Sequence, residues 1–247
     1  MITGSFTIIV PMYNEARNIR ELVARVSRLR NMNFQDIYLI LVDDGSTDDS
    51  PSILLDVSTH SWISHIRIDR QQGQHHAVIA GFRSALHAGR SGFLGTMDAD
   101  MDPGPESFAD LLPYTGDHDL IVARRVKRLR SPVRTVVTII LRFLCLILRP
   151  TRIQDHGSMF RVYSRDVVRC ILTFSRHGTF IPGLSLLCAR SPTEIPLNAL
   201  QGTNRMSRYS LRRIVSTGWQ MVRLIARYPF GKGISRFCRS DYSADSG

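Results

Sequence analysis

Short apolar runs alternate with helix-patterned stretches through the first half of the chain. Phe6–Val10, Ile37–Val42, His65–Ile68, Gly92–Met97 and Asp119–Ala123 have strand length and are rich in β-branched and large apolar residues. Between the first two, Ile19, Leu22, Val23, Val26 and Leu29 repeat at helical spacing, with Asn14 placed to cap a helix running to about Arg30. Gly45 suits a tight turn after the second run, and Ser46, Thr47 or Asp48 can cap the helix that follows. An Ala-rich helix is expected from Ala77 to about His87. Strand, loop and helix in this alternation predict an α/β chain with a mostly parallel sheet and helices on both faces.

Every polar cluster follows a strand. The clusters are Pro11-Met12-Tyr13-Asn14-Glu15, Asp43-Asp44-Gly45-Ser46-Thr47-Asp48, Gln71-Gln72-Gly73-Gln74-His75-His76, Asp98-Ala99-Asp100-Met101-Asp102 and Arg124-Arg125. Segments before strands, such as Arg30–Asp36, are plainer. Open parallel sheets bind ligands beyond the carboxyl ends of their strands, so these clusters are expected to converge there. Each loop alone also reads as ordinary turn chemistry. Asp98, Asp100 and Asp102 sit at i, i+2 and i+4, and share one face if the backbone stays extended. Packed carboxylates need a neutraliser, and hard oxygen ligands favour Mg²⁺ or Mn²⁺.

Charge sharpens this picture. The 247 residues carry a net +11, with residues 1–123 at −7 and residues 124–247 at +18. An acidic half suited to a cation precedes a basic half that calls for an anion: substrate phosphate, an anionic membrane surface or nucleic acid. No RNA-recognition, zinc-finger or helix-turn-helix signature supports the last. Cys145, Cys170, Cys188 and Cys238 are scattered, as in reduced cytosolic proteins. Neither a signal peptide nor a membrane-spanning run is expected.

Residues 131–150 predict a helix that is apolar over most of its girth. Arg134, Thr138, Arg142, Cys145 and Arg149 fall within roughly 80° of one another at 3.6 residues per turn. Such a helix fits an in-plane position at a headgroup boundary, with arginines reaching phosphates; a core helix with a solvent-facing basic stripe is the alternative. A second amphipathic helix is expected over Ile214–Tyr228, where Trp219 and Tyr228 mix with Arg223 and Arg227. Ser240–Gly247 reads as a polar, disordered tail.

The ordered motifs, from Val10-Pro11-Met12-Tyr13-Asn14-Glu15 through Val42–Asp48 and Gly73-Gln74 to Asp98-Ala99-Asp100, resemble those of family 2 glycosyltransferases of GT-A fold, a Rossmann-like architecture. The later segments look more narrowly like polyprenyl-phosphate sugar transferases, the dolichol-phosphate mannosyltransferase and undecaprenyl-phosphate glucosyl- and aminoarabinose-type enzymes. The resemblance covers roughly residues 5–215. It implies a nucleotide-sugar-binding half, 1–130, and an acceptor-binding half, 131–239, within one domain. Pro11, Tyr13 and Glu15 would border base and ribose, and Asp43 with Asp44 would contact the base. Gln74 and Ala99 would lie along the donor. Asp98 and Asp100 would hold a cation on the donor diphosphate, with Asp102, where many relatives have Gln, as a third, harder ligand or bound through water. Position 74 is often Lys in relatives; Gln74 adds no charge. His75 and His76 would hold phosphate or pack the helix start.

One of Arg124 and Arg125 would meet a donor or acceptor phosphate, for which a planar fork is suited. Gln154–Arg161 resembles the family's D-x-G-x-x-x-R stretch. Asp155, the only acid between Arg124 and Arg165, would act on the sugar or pair with a base such as Arg161. Asn204–Leu211 resembles the R-x-x-G-x-S-x-Y loop of the polyprenyl-phosphate enzymes, with Gly202 where Arg is expected and Arg205 where Gly is expected. The acceptor phosphate and lipid would meet Arg124, Arg134, Arg161, Arg205 and Ser207.

The resulting expectation is inverting, metal-dependent sugar transfer from a nucleotide-sugar, a uridine donor before a guanosine one, to polyprenyl phosphate. It places the protein peripherally on the cytoplasmic face of the membrane, as a homo-oligomer or with a membrane partner. A family 2 enzyme with a soluble, glycan or protein acceptor and a non-catalytic membrane-associated homologue are the alternatives.

Overall fold

A computed structural model describes residues 5–32, 36–89, 91–125, 153–155, 157–175 and 180–197. Seven strands form one sheet: β1 (Phe6–Met12), β2 (Ile37–Asp43), β3 (Ile63–Arg67), β4 (Phe93–Thr96), β5 (Leu120–Arg125), β6 (Arg161–Ser164) and β7 (Pro192–Leu197). Their spatial order is β3-β2-β1-β4-β6-β5-β7. β6 runs antiparallel to both β4 and β5, whereas the β1–β2, β1–β4, β2–β3 and β5–β7 pairs are parallel. The first five strands fall where the sequence pattern put them. β6 and β7 were not expected.

Helices cover both faces: α1 (Ala16–Asn31), α2 (Ser50–Val57), α3 (Gln74–Ala88), α4 (Phe108–Leu111), α5 (Arg165–Phe174) and α6 (Ile181–Cys188). Strand period two divides the core. Phe6, Ile8, Val10 and Met12 pack with Leu22, Val26 and Phe108 on one side, while Ile9, Ile40 and Val42 pack with Phe82, Ile171 and Leu184 on the other. The buried stripe of α1 is Ile19, Leu22, Val23, Val26 and Leu29, the five residues its spacing singled out.

Asn14 does not cap α1. It adopts φ 55° and its side-chain oxygen accepts from the Thr47 N–H at 2.8 Å. Glu15 occupies the cap position, and the first helical N–H, Ala16, reaches Asp48 of the neighbouring loop instead. The helices expected over 131–150 and 214–228 and the 240–247 tail lie outside the described residues. Among the described residues no helix is long and apolar enough to cross a membrane.

Candidate functional site

The strand order reverses beside β1: β2 and β3 lie on one side of it and β4 on the other. A crevice forms at such a switch point, flanked by the loops that leave the two diverging strands. Here those loops are Tyr13–Glu15 after β1 and Met97–Asp102 after β4, with Asp43–Asp48 after β2 alongside. β6, being reversed, begins at the same edge: Arg161 pairs with Thr96 and Val122.

The β1 and β2 loops are tied together. The Asn14 N–H donates to Ser46 Oγ at 2.9 Å, the Glu15 N–H to Ser50 Oγ at 3.1 Å, and the Ala16 N–H to Asp48 Oδ2 at 3.2 Å. Partial burial works against ionisation of Asp48, but the hydroxyl and N–H of Ser50 and the N–H of Ala16 outweigh it and hold the carboxyl below its usual range. Pro11 is buried at the end of β1, Tyr13 is 37% exposed at the rim, and Glu15 accepts a short hydrogen bond from the Asn18 amide.

The two adjacent aspartates of the β2 loop have separate jobs. Asp44 is buried, with Oδ1 accepting from the Gln72 N–H at 2.8 Å and Oδ2 from the Gly73 N–H at 2.7 Å. It fastens the loop before α3. Gly45 makes that closeness possible: at φ 75°, a methyl there would stand 2.7 Å from Gln71 N. Asp43 is fully enclosed; Oδ1 accepts from the Ser46 N–H at 2.9 Å. Oδ2 is buried without a hydrogen bond, 3.9 Å from Arg67 Nε. A buried carboxylate oxygen left this way keeps acceptor capacity for one further N–H.

Gln74 begins α3 and its amide donates to Asp98 Oδ1 at 2.7 Å, joining the β3–α3 and β4 loops across the crevice. His75 and His76 share the first turn, their rings edge-to-face at 5.1 Å, and His76 Nδ1 lies 3.1 Å from the Gln72 carbonyl. The acidic loop itself departs from expectation. β4 stops at Thr96, the chain turns at Ala99-Asp100, and Met101 takes φ 56°. The backbone is not extended, so period-two placement of Asp98, Asp100 and Asp102 on one face does not hold. Among the described residues no three His, Cys, Asp or Glu side chains are arranged to hold a metal ion. Asp98 is half-buried, Ala99 buried and Asp100 exposed; Asp100 Oδ1 accepts from the Asp102 N–H at 3.2 Å.

Beyond β4, Arg161 is corrected outright. Its side chain is fully buried and donates from Nε to the Ser158 carbonyl at 2.7 Å and from Nη1 to the Pro182 carbonyl at 2.9 Å and Ser185 Oγ at 2.8 Å. Nη2 approaches the Asp155 carbonyl at 3.5 Å. This guanidinium knits the 155–161 loop to α6 and is not placed for a lipid phosphate. The Asp155 carboxylate accepts from the Ser158 N–H at 3.1 Å. Arg124 is half-exposed, its Nη1 donating to Gln154 Oε1 at 3.1 Å.

Glu194, on β7, escaped the sequence reading. Its Oε1 accepts from the Gln154 and Asp155 N–H groups at 2.8 and 2.7 Å, and Oε2 forms an ion pair with Arg124 Nε at 3.4 Å. Its status as one of five acids in the basic half was the available signal. The side chain of Arg125, and Arg134, Arg205 and Ser207 altogether, lie outside the described residues.

The loops that leave β1, β2 and β4 thus gather Asp43, Asp98 and Asp100 at the switch point of a GT-A-like sheet. The family model for glycosyl transferase family 2 matches residues 7–172, and the chain belongs to that family. It is 28% identical over 226 residues to the undecaprenyl-phosphate 4-deoxy-4-formamido-L-arabinose transferase of Enterobacter sp. (strain 638), covering 90% of this chain and 68% of that protein. Similar solved structures include Mycobacterium tuberculosis glucosyl-3-phosphoglycerate synthase in complex with Mn²⁺, UDP and glucosyl-3-phosphoglycerate. That match has TM-score 0.61 and 18% identity, over 91% of this chain and 80% of that one. S. aureus TarS 1–349 with UDP-GlcNAc matches at TM-score 0.58 and 15% identity, over 90% of this chain. This chain spans 66% of that TarS chain, and 58% of it in another crystal structure of TarS 1–349.

Proposed function

We propose that this protein transfers a sugar from a nucleoside-diphosphate sugar, a uridine donor, to a polyprenyl phosphate at an anionic membrane surface on the cytoplasmic side. The observation that carries the reading is the convergence of Asp43, Asp98 and Asp100 on the β1/β4 switch point in a chain whose later half is net +18. The 28% identity to an undecaprenyl-phosphate transferase supports the acceptor. The Mn²⁺ and UDP bound by the mycobacterial synthase support the donor and cation.

Asp43 Oδ2 would accept from the base N–H, with Pro11, Tyr13 and Glu15 bordering base and ribose. Gln74 and Ala99 would line the diphosphate. The hard oxygens of Asp98 and Asp100 fit a Mg²⁺ or Mn²⁺ ion in the manner of one or two carboxylates completed by substrate phosphates. Such an ion, when bound, neutralises charge on the diphosphate. Asp102, beyond the turn, stands outside this pair.

A lipid phosphate is already an anion near neutral pH, so its oxygen needs no general base. It attacks the anomeric carbon, the bond from that carbon to the diphosphate oxygen breaks, and the nucleoside diphosphate departs with inversion. Two anions must be brought together, and Arg124, with Arg125, Arg134, Arg205 and Ser207, would hold the acceptor phosphate. Asp155, fixed by Ser158, would face the sugar.

The test is transfer from UDP-sugars to a short polyprenyl monophosphate by wild type and Asp100→Ala, with UDP binding followed by thermal shift with and without Mn²⁺. Wild type should transfer and the variant should not, while keeping its fold. Normal turnover by Asp100→Ala defeats the cation assignment. Transfer to a soluble phosphorylated acceptor but not to the lipid defeats the acceptor assignment; the phosphoglycerate-using synthase among the structural relatives makes that acceptor the control.

A further inference from the structure

Three groups meet on Glu194, two as hydrogen-bond donors and one as an ion-pair partner. Two are main-chain N–H groups of consecutive residues, Gln154 and Asp155, and the third is the Arg124 guanidinium. Arg124 returns to the same loop through the Gln154 side chain. The circuit Arg124–Glu194–Gln154 is closed, and the Glu194 side chain is only 9% exposed against 36% for Arg124. With Nε 3.4 Å from Glu194 Oε2 and Nη1 donating to Gln154, the guanidinium is held from two sides within this frame. A planar fork binds phosphate well only when its plane is fixed, because bidentate contacts are directional. The same carboxylate sets the main chain that carries Asp155.

We propose that Glu194 is a positioning residue that fixes the Arg124 fork and the Gln154–Asp155 main chain in one frame, so that they meet an acceptor phosphate as a unit. This rests on the lipid-phosphate reading given above. Glu194→Gln is nearly isosteric. Its carbonyl oxygen can still accept from Gln154 and Asp155, but its amide turns a donor toward a donor at Arg124.

A double-mutant cycle measures the coupling. Affinity for farnesyl monophosphate in detergent micelles is determined for wild type, Arg124→Ala, Glu194→Gln and the double variant, with UDP affinity as the control. Loss of one charge-assisted contact corresponds to roughly a tenfold loss of affinity. Arg124→Ala and Glu194→Gln should each weaken farnesyl monophosphate binding by about that factor, and the double variant should be no weaker than Arg124→Ala. UDP affinity should be unchanged throughout. Arg124→Lys, which keeps the charge and loses the fork, reports the same coupling without touching the buried acid. Factors that multiply in the double variant overturn the positioning role alone. Wild-type protein that binds UDP but not farnesyl monophosphate overturns the acceptor reading and this role with it.

Discussion

Arg161→Met is the substitution that separates a structural arginine from a ligand-binding one. Methionine keeps most of the stem volume and removes every donor. Three well-formed bonds from the guanidinium disappear, to the Ser158 carbonyl, the Pro182 carbonyl and Ser185 Oγ. Pro182 keeps one donor, because the Ser185 hydroxyl also donates to it at 2.9 Å, so the Ser158 carbonyl is the acceptor left most exposed to loss. Hydrogen bonds to a charged donor contribute about 1.5–3 kcal/mol each, so three give at least ~4.5 kcal/mol. Removing a buried charge also relieves a desolvation penalty of several kcal/mol, which offsets part of that sum. The expected net loss is about 3 kcal/mol, or roughly 6–12 °C in Tm for a domain of this size. Arg161→Lys, retaining charge without the fork, should lose about 2 kcal/mol. Urea unfolding followed by circular dichroism gives both values. If both variants unfold within about 0.5 kcal/mol of wild type while losing affinity for a lipid monophosphate, the enclosed clamp is wrong.

Four further outcomes follow from the same geometry. Gly45→Ala should cost at least ~2 kcal/mol, because a positive φ and contact with the 70–71 main chain combine; it should also weaken UDP binding, read by thermal shift. Asp48→Ala leaves the Ala16 and Ser50 N–H groups without their acceptor and should cost about 1 kcal/mol in chemical denaturation. Burial pushes the Glu106 carboxyl up, but the paired bonds from Arg25 at 2.8 and 2.6 Å prevail and hold it low. A carboxyl lowered on folding adds stability above its unfolded value and loses it as pH falls through the folded one. Glu106→Gln should therefore cost up to about 1 kcal/mol at neutral pH, discounted for partial exposure, and little in acid where both proteins are neutral at that position. Gln74→Ala removes the amide that steadies Asp98 and should weaken Mn²⁺-dependent UDP binding several-fold by titration calorimetry.

The parallel part of the sheet was legible because its strands are separated by helices with clear periodicity, as in α1, whose five apolar positions are its buried face. β6 was hidden by its length of four residues, and α6 because all eight of its residues are buried, which erases any amphipathic pattern. At the site, strand ends marked which loops converge. They did not mark which oxygen meets which donor. Asp43 and Asp44 are neighbours of one residue type, yet one keeps a buried oxygen without a hydrogen bond and the other fastens a loop with both oxygens. The same limit applied to Asp98, Asp100 and Asp102, whose spacing assumed a straight backbone where the chain turns, and to Arg161, whose burial depends on α6 twenty residues later.

The reversal of β6 has an architectural consequence. β5 leaves the sheet and β6 re-enters it at one rim. Doubling the connection between them costs only about 0.6 kcal/mol in closure entropy, and none of the sheet registers need change. The length of chain between these two strands can thus change while the sheet they belong to keeps its pairing.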